Sequence, residues 1–457
     1  MNYSLQDINH AYFIGIGGVS MSSLASILMI KGKRVSGYDM NKTAVTERLE
    51  SEGASVCYSL DTDIPQSVDT IIYTAAIKAD NPLMVKAKSS KSVILSRAEL
   101  LGIITNSFKT SIGVAGTHGK STTTGLLSSI CLTHDSETAI LSGANLPFIG
   151  SSYKCADGER IVYEACEYKN SYHFMIPSIK VVLNCELDHV DFFPTINHVI
   201  DSFKRYIDIP RFDGSENITV INKDCKNCLE AAKNTASDIY YYSTCGKADF
   251  YAYDIDISDG YGHFSIALND GNAIESIKLA IPGMHNVSNS VAAAAAAYLS
   301  GVSAQNIKQG LMAFTGVSRR FEYLGEYNGA KVFDDYAHHP DEIEVTLKAA
   351  RALTRGRIIC IFQPHTYTRT YEMLDAFASS LSIADKVYIC DIYAAREINT
   401  TGVTSCDIAK RMTNAECPGS FADIAEILKN ELSDNDYCIT MGAGEAYKVA
   451  DILLAKK

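Results

Sequence analysis

Proline is scarce, 10 in 457 residues, and charged side chains make up 21% of the chain against 47% hydrophobic ones. That balance excludes a disordered protein, which lacks the apolar area to offset the entropy of ordering. No apolar run approaches the length of a membrane span. The stretch at residues 11–16 runs directly into glycines and does not read as a secretory signal. No basic run is visible and the net charge is −12, so a general nucleic-acid binder is not expected. An acidic balance still permits an anionic substrate, because glycines, helix ends and a few Lys or Arg hold phosphate locally. No repeat of short fixed period appears. Cys225-Lys226-Asn227-Cys228 has no second CxxC to make a zinc ribbon, so the pair reads as surface or structural cysteines. The 13 scattered cysteines point to a cytosolic protein with reduced thiols.

What is present is an α/β rhythm. A chain of this length exceeds one ordinary core, and two or three domains are expected. Strands are predicted at 12–16, 34–38, 70–74 and 93–95, with an apolar helix over 21–30. A second unit follows, with strands at 111–115, 160–164 and 180–184 and a polar β-rich insertion over 249–280 that turns at Asp259-Gly260 and Asp270-Gly271. A helix carries the alanine run 292–297. A third unit has strands at 331–333, 357–362, 386–390 and 437–440. This is the pattern of doubly wound parallel sheets, whose ligands gather at the carboxyl ends of the strands.

One such end is Gly116-Thr117-His118-Gly119-Lys120-Ser121, set between a strand and a helix. Backbone N–H groups there can face a phosphate, and the helix N-terminus adds positive potential. Lys120 suits the β and γ phosphates, and Ser121 or Thr122 a Mg²⁺ ion. The spacing is shorter than the usual GxxxxGK[ST] form. Gly15-Ile16-Gly17-Gly18 is a second glycine turn, with Asp39 after the next strand. Ser20 falls where a dinucleotide fingerprint has its third glycine, so another diphosphate-bearing nucleotide is expected there.

Carboxylates follow two strands: Glu164 and Glu167, then Glu186, Asp188 and Asp191 with His189. An ATP site needs such oxygen ligands for its metal. In the third unit, Asp334-Asp335-Tyr336-Ala337-His338-His339-Pro340 and Gln363-Pro364-His365-Thr366-Tyr367-Thr368-Arg369 close two strands, which suits an anionic or amine substrate. Zinc is disfavoured, since adjacent His338 and His339 would point apart on a strand.

Together these runs resemble the Mur ligase family. The matching stretches are GIGGVSMSSLA, YTAAI, GTHGKSTTT, EACEYKNS, ELDHVDFF, PGMHNVSNSVAA, FTGVSRRFEYLG, DDYAHHPDEI, FQPHTYTRT, DIYAARE and GAG. The resemblance implies three α/β domains: a Rossmann-like UDP-sugar-binding domain at 1–108, a central P-loop ATPase domain at 109–317 and a Rossmann-like amino-acid-binding domain at 318–457. It implies ATP- and Mg²⁺-dependent ligation of L-alanine to the lactyl carboxylate of UDP-N-acetylmuramate through an acyl phosphate, in cytoplasmic peptidoglycan precursor synthesis. Gly15, Gly17, Gly18, Asp39, Thr74 and Ala75 would hold the UDP-sugar. Gly116 to Thr122 with His285, Asn286, Asn289 and Arg320 would hold ATP, and Ser121, Thr122, Glu164 and His189 the metal. Lys120, Glu164, His189, His338, His365 and Arg369 would be catalytic, with Tyr336 and His338 on the amino acid. A monomer or homodimer is implied, with no nucleic-acid or membrane partner.

The chain departs from the family pattern in places. Ser121 stands where threonine is more frequent, Thr366 where many members have a basic residue, Cys166 where an acid is common, and Glu445 where aspartate follows GAG. Residues 146–159 match poorly. Three other readings remain at this stage: a ligase that joins a preformed tripeptide to the same sugar nucleotide, an NAD-dependent dehydrogenase, and a non-catalytic nucleotide sensor. Lys120 and the imperfect third glycine count against the dehydrogenase, and a sensor has no need of Tyr336, His338, His365 and Arg369.

Overall fold

A computed structural model of the chain describes residues 3–74, 77–190, 192–211, 216–395 and 397–455. Ala75, expected at the sugar-nucleotide site, and Asp191 of the acidic cluster lie outside the described residues. The chain divides into two compact units: Met1–Ala252, Ile266–Ile274 and Asn289–Leu311 form one, and Tyr253–Ser265, Glu275–Ser288 and Met312–Lys457 the other.

The first unit opens with β1 (His10–Ile14), α1 (Val19–Ile30), β2 (Arg34–Tyr38), α2 (Ala44–Ser51), β3 (Ser55–Cys57), β4 (Thr70–Tyr73), α3 (Pro82–Ser89), β5 (Val93–Ser96) and α4 (Arg97–Asn106). Its five strands are parallel in the order β3-β2-β1-β4-β5. Ala11 and Phe13 enter one apolar cluster while Tyr12 and Ile14 enter another, so β1 is covered on both faces and reads as a continuous apolar run. β1 stops at Ile14, short of the predicted end, because the N–H groups of Gly15 and Ile16 both turn to Tyr38 O (2.8 and 3.0 Å). The unpredicted β3 is three residues long, too short for a periodic signal.

The unit continues through β6 (Thr110–Ala115), α5 (Lys120–His134), β7 (Ala139–Leu146), β8 (Ser151–Lys154), β9 (Arg160–Glu164), β10 (Ile179–Val182), α6 (Ile196–Asp208), β11 (Ile218–Asn222), α7 (Lys226–Ala231) and β12 (Asp238–Ser243). These strands run β12-β11-β10-β6-β9-β7-β8, all parallel except β8 on β7. The ends of β6, β9 and β10 are therefore neighbours. β13 (Phe250–Asp256) joins β12, and β14 (Tyr261–Ala267) and β15 (Ala273–Pro282) follow in the chain, with Gly260 and Gly271 at the predicted turns. Helix α8 (Met284–Leu299) carries the alanine run, wholly buried, and α9 (Ala304–Ala313) comes next.

The second unit holds β16 (Glu322–Tyr327), β17 (Ala330–Asp335), α10 (Pro340–Leu353), β18 (Ile358–Phe362), α11 (Tyr367–Glu372), α12 (Leu374–Leu381), β19 (Lys386–Ile389), α13 (Cys406–Ala409), β20 (Ala415–Glu416), α14 (Phe421–Glu431), β21 (Tyr437–Met441) and α15 (Tyr447–Leu453). The strand order is β16-β17-β21-β18-β19-β20, parallel apart from β16 on β17. On β18, Ile358, Cys360 and Phe362 face α10 and α12, while Ile359 and Ile361 face α14 and α15. That period of two places helices on both faces. Among the described residues, no helix is long and apolar enough to cross a membrane.

Candidate active site

The phosphate loop leaves β6 at Gly116 (φ 151°) and enters α5 at Gly119 (φ 80°), backbone regions that L side chains avoid. A Cβ on Gly116 would come 2.9 Å from Leu183 Cβ, and one on Gly119 would come 2.9 Å from Asn289 Oδ1. The end of β10 clamps the loop. His118 N–H donates to Asn184 Oδ1 (2.8 Å), and Asn184 Nδ2 donates back to His118 O (3.1 Å). The Thr117 hydroxyl accepts from Glu186 N–H (2.9 Å) and donates to Glu186 O (3.2 Å).

Lys120 Nζ folds back into this cradle, donating to Gly116 O (2.6 Å), Thr117 O (2.9 Å) and Glu167 Oε1 (3.1 Å). Burial opposes its charge, yet the carboxylates of Glu167 and Glu164 and the Cys166 thiol between them leave its pKa above the ordinary lysine value. The Ser121 hydroxyl donates to Glu164 Oε2 (2.7 Å), which also accepts from Gly143 N–H (3.1 Å). Of the two candidate hydroxyls it is that of Ser121 that meets Glu164. His189, in the left-handed region (φ 52°), sets Nε2 3.7 Å from Glu167 Oε1 and lies against Tyr168 with the rings tilted, centroids 4.6 Å apart. Lys120, Ser121, Glu164 and His189 thus gather at the ends of β6, β9 and β10. Glu167, whose side chain is only 3% exposed, is the hub that touches two of them. In the sequence Glu167 is one of several strand-end oxygen donors suited to a metal, and pleat parity, which ends with β9 at Glu164, gives no ground for singling it out.

At the first glycine turn, Gly17 N–H donates to Asp39 Oδ2 (2.7 Å), and a Cβ on Gly17 would lie 2.9 Å from that oxygen. Gly18 caps α1, and Gly15 (φ 87°) approaches Thr74, whose Cγ2 would be 3.4 Å from a Cβ. Gly15 and Thr74 therefore meet at the β1–β4 switch point of the sheet, while Asp39, after β2, reaches Gly17 from the other side of β1. Asp39 closes the turn with one oxygen. Arg97, first residue of α4, donates to Ser20 Oγ (3.0 Å) and brings to this turn a cation the sequence reading did not single out.

In the second unit the two arginines divide their tasks. Arg319 binds Asp334 Oδ2 (2.8 Å), Gly442 O (2.8 Å) and Gly444 O (3.3 Å) and lies over Tyr336 and Tyr447, each centroid 5.0 Å away. Arg320 is held more loosely, 3.8 Å from Glu342 and 5.4 Å from the Tyr336 ring. Asp335 accepts from the N–H groups of Phe321 and Ala337 (both 2.7 Å), and burial raises its pKa to about 6 although Arg320 opposes the rise. His338 Nδ1–H donates to Tyr336 O (3.2 Å), and the ring packs edge-on to His365, centroids 5.8 Å apart, which stacks on Tyr393. His339 instead caps α10, so the two adjacent imidazoles do part. Burial, then His338 and Arg369, lower the His365 pKa to about 4, and its buried Nδ1 has no hydrogen-bond partner among the described residues. Arg369 lies on α11, one turn beyond His365.

The expected adenine segment is split. Asn289 adjoins the phosphate loop in the first unit, whereas His285, exposed, and Asn286, whose Nδ2 donates to Pro282 O (2.7 Å), belong to the second.

Three family models match consecutive parts of the chain: the Mur ligase family catalytic domain at residues 10–109, the Mur ligase middle domain at 114–297, and the Mur ligase glutamate ligase domain at 319–444. The chain is 39% identical over 456 residues to the UDP-N-acetylmuramate–L-alanine ligase of Clostridium perfringens, covering 98% of this chain and 99% of that one. It is 42% identical over 454 residues to the ligase of the same name from Acetivibrio thermocellus, covering 98% and 96%. The fold is similar to the crystal structure of the UDP-N-acetylmuramate–alanine ligase MurC of Thermotoga maritima, with a TM-score of 0.79 and 23% identity over 98% of each chain.

Proposed function

The chain belongs to the Mur ligase family, and on that premise we propose that it joins L-alanine to the lactyl carboxylate of UDP-N-acetylmuramate, converting ATP to ADP and phosphate. The observation that carries this reading is near-full-length identity of 39% and 42% to ligases of that name. The domain division is 1–108 for the sugar nucleotide, 109–317 for ATP and 318–457 for the amino acid. The cytoplasm is the compartment in which these substrates would meet it.

A lactyl carboxylate oxygen attacks the γ-phosphorus, the bond to the ADP oxygen breaks, and an acyl phosphate forms. The amine of L-alanine then adds to the acyl carbon, and the tetrahedral intermediate expels phosphate. Two anions must meet in the first step, so positioning and charge compensation supply most of the rate. Lys120 would release its loop carbonyls to lie on the transferring phosphoryl group, and Arg320, the looser of the two arginines, would reach phosphate. Gly15, Gly17, Gly18 and Thr74 would admit the UDP diphosphate, with Arg97 beside it, and Asp39 would keep the turn closed. Tyr336, His338, His365 and Arg369 would hold alanine and the acyl phosphate, with the unpartnered Nδ1 of neutral His365 free to accept a hydrogen bond from the amine.

The donor set of Ser121 Oγ, the Glu164 and Glu167 carboxylates and His189 Nε2 suits a hard divalent cation. Mg²⁺ bound there would neutralise charge on the phosphates. Phosphate release with ATP, Mg²⁺, UDP-N-acetylmuramate and L-alanine tests the proposal. Turnover only with a preformed tripeptide in place of alanine would assign the recycling reaction instead, and release that needs neither co-substrate would sink ligation.

A further inference from the structure

The Cys225-Lys226-Asn227-Cys228 run takes no part in the site as described. Cys225 caps α7 and Cys228 follows at the third helical position, a spacing that turns both side chains to one face. The two thiols lie near enough to interact. Cys225 is half-buried, hence reachable, and Cys228 is fully buried beneath it. The Cys228 thiol, against the effect of burial, and the N–H groups of Cys228, Cys185 and Asn227 bring the Cys225 pKa down to about 6, whereas the same interaction raises that of Cys228.

This pair also grips the strand end that supports the phosphate loop. Cys185 N–H faces the Cys225 sulfur, and Cys185 O accepts from Asn227 Nδ2 (2.8 Å). The residues on either side of Cys185 are the loop's clamps: Asn184 brackets His118, and Glu186 N–H binds the Thr117 hydroxyl.

We propose that Cys225 and Cys228 form a reversible disulfide under mild oxidation, and that this modification weakens nucleotide binding by withdrawing the Cys225 sulfur from Cys185 and loosening the Asn184–Glu186 clamp. The coupling rests on the phosphate loop being the nucleotide site. With hydrogen peroxide as oxidant, the Cys225 thiolate attacks one peroxide oxygen and the O–O bond breaks. The departing hydroxide leaves as water, and Cys225 becomes a sulfenic acid. The Cys228 sulfur then attacks the Cys225 sulfur, the S–O bond breaks, and a second water leaves. Two thiols and one peroxide give one disulfide and two waters, and a dithiol such as dithiothreitol reverses the change.

The full chain, reduced and then exposed to limited peroxide, is alkylated and mapped by peptide mass spectrometry, with ATP affinity measured in parallel. Expected are a Cys225–Cys228 disulfide, a weakening of ATP binding by about fivefold or more, and recovery with dithiothreitol. Cys225→Ser and Cys228→Ala, with reduced-state affinity within about twofold of the parent, should lose the response. The map also separates this pair from Cys406 and Cys417, whose thiols touch in the second unit. Alkylation of Cys225 and Cys228 as free thiols after peroxide overturns the disulfide. A disulfide with unchanged affinity, or variants that keep the response, overturns the coupling. If the reduced chain binds no ATP, the nucleotide reading fails and the coupling with it, while the thiol map still decides the disulfide.

Discussion

Two strand-end clusters, one in each unit, handle buried charge in opposite ways. Around the phosphate loop charge is met by close partners: Lys120 lies against Glu167, Glu164 accepts from Ser121, and loop carbonyls take the remaining lysine donors, while Glu167 Oε2 faces Lys120 without a hydrogen bond among the described residues. In the second unit two buried groups are pushed toward neutrality, Asp335 raised to about 6 and His365 lowered to about 4. The first cluster is an ion network that, under the proposed function, would exchange partners with an arriving phosphate. The second is desolvated and would offer a neutral acceptor to an incoming donor. One fold type supports both because strand carboxyl ends supply position, while the local count of opposite charges decides protonation.

The sharpest way to break the comparison is at Lys120. Lys120→Met should lower phosphate release by roughly a thousandfold and leave UDP-sugar binding intact. The buried Glu167 carboxylate would then stand without its cation, at a cost of about 3–5 kcal/mol in stability. Adding Glu167→Gln should restore the denaturation midpoint but not turnover. If turnover returns with stability, Lys120 acts through the fold and not on phosphate.

At the other cluster, His365→Ala should lower kcat/KM for L-alanine by about 10- to 100-fold and leave ATP affinity unchanged by calorimetry. An equal loss of ATP affinity would erase the distinction between the clusters.

Next comes pH, for which the two shifted groups have opposite signs. The folded pKa of His365 is depressed, so its contribution to stability is present above the ordinary value of 6.5 and is lost as pH falls through about 4. The folded pKa of Asp335 is raised, so its contribution is complete below 3.8 and is lost as pH rises through about 6. NMR titration should find the His365 ring midpoint near 4 and the Asp335 carboxyl midpoint near 6. Ordinary midpoints for both would remove the desolvated pocket from the account. The smallest effect is expected for Ser121→Thr, which keeps the hydroxyl on Glu164 and should change turnover by no more than about threefold.

Much of this was legible without coordinates. The phosphate loop could be read because its glycines, lysine and hydroxyl occupy consecutive positions between a strand and a helix, all local constraints. The β-rich insertion could be read from two Asp-Gly turns. Glu167 could not be ranked above Glu164, because strand alternation ends between them and the irregular backbone beyond decides which carboxylate meets the lysine. Arg97 was missed for a different reason: its partner Ser20 is 77 positions away, and only the β1–β4 neighbourhood brings α1 and α4 together. Arg319 and Arg320 look equivalent as a pair, yet Arg319, at positive φ, binds Asp334 and the Gly442 and Gly444 carbonyls just past β21, while the other is held more loosely. β3 escaped because a three-residue edge strand carries little periodic signal, and β16 because a bulge between Tyr323 and Gly325 interrupts its alternation.

The order of residues by itself determined three α/β modules, a glycine-lysine loop between strand and helix, and the family, since each rests on short-range spacing or on identity along the chain. Tertiary structure decided which carboxylate pairs with Lys120, which imidazole is left with an open nitrogen, and what the CxxC pair holds in place. Those outcomes depend on desolvation and on contacts between segments far apart in the chain, and both are set only once the sheets have closed.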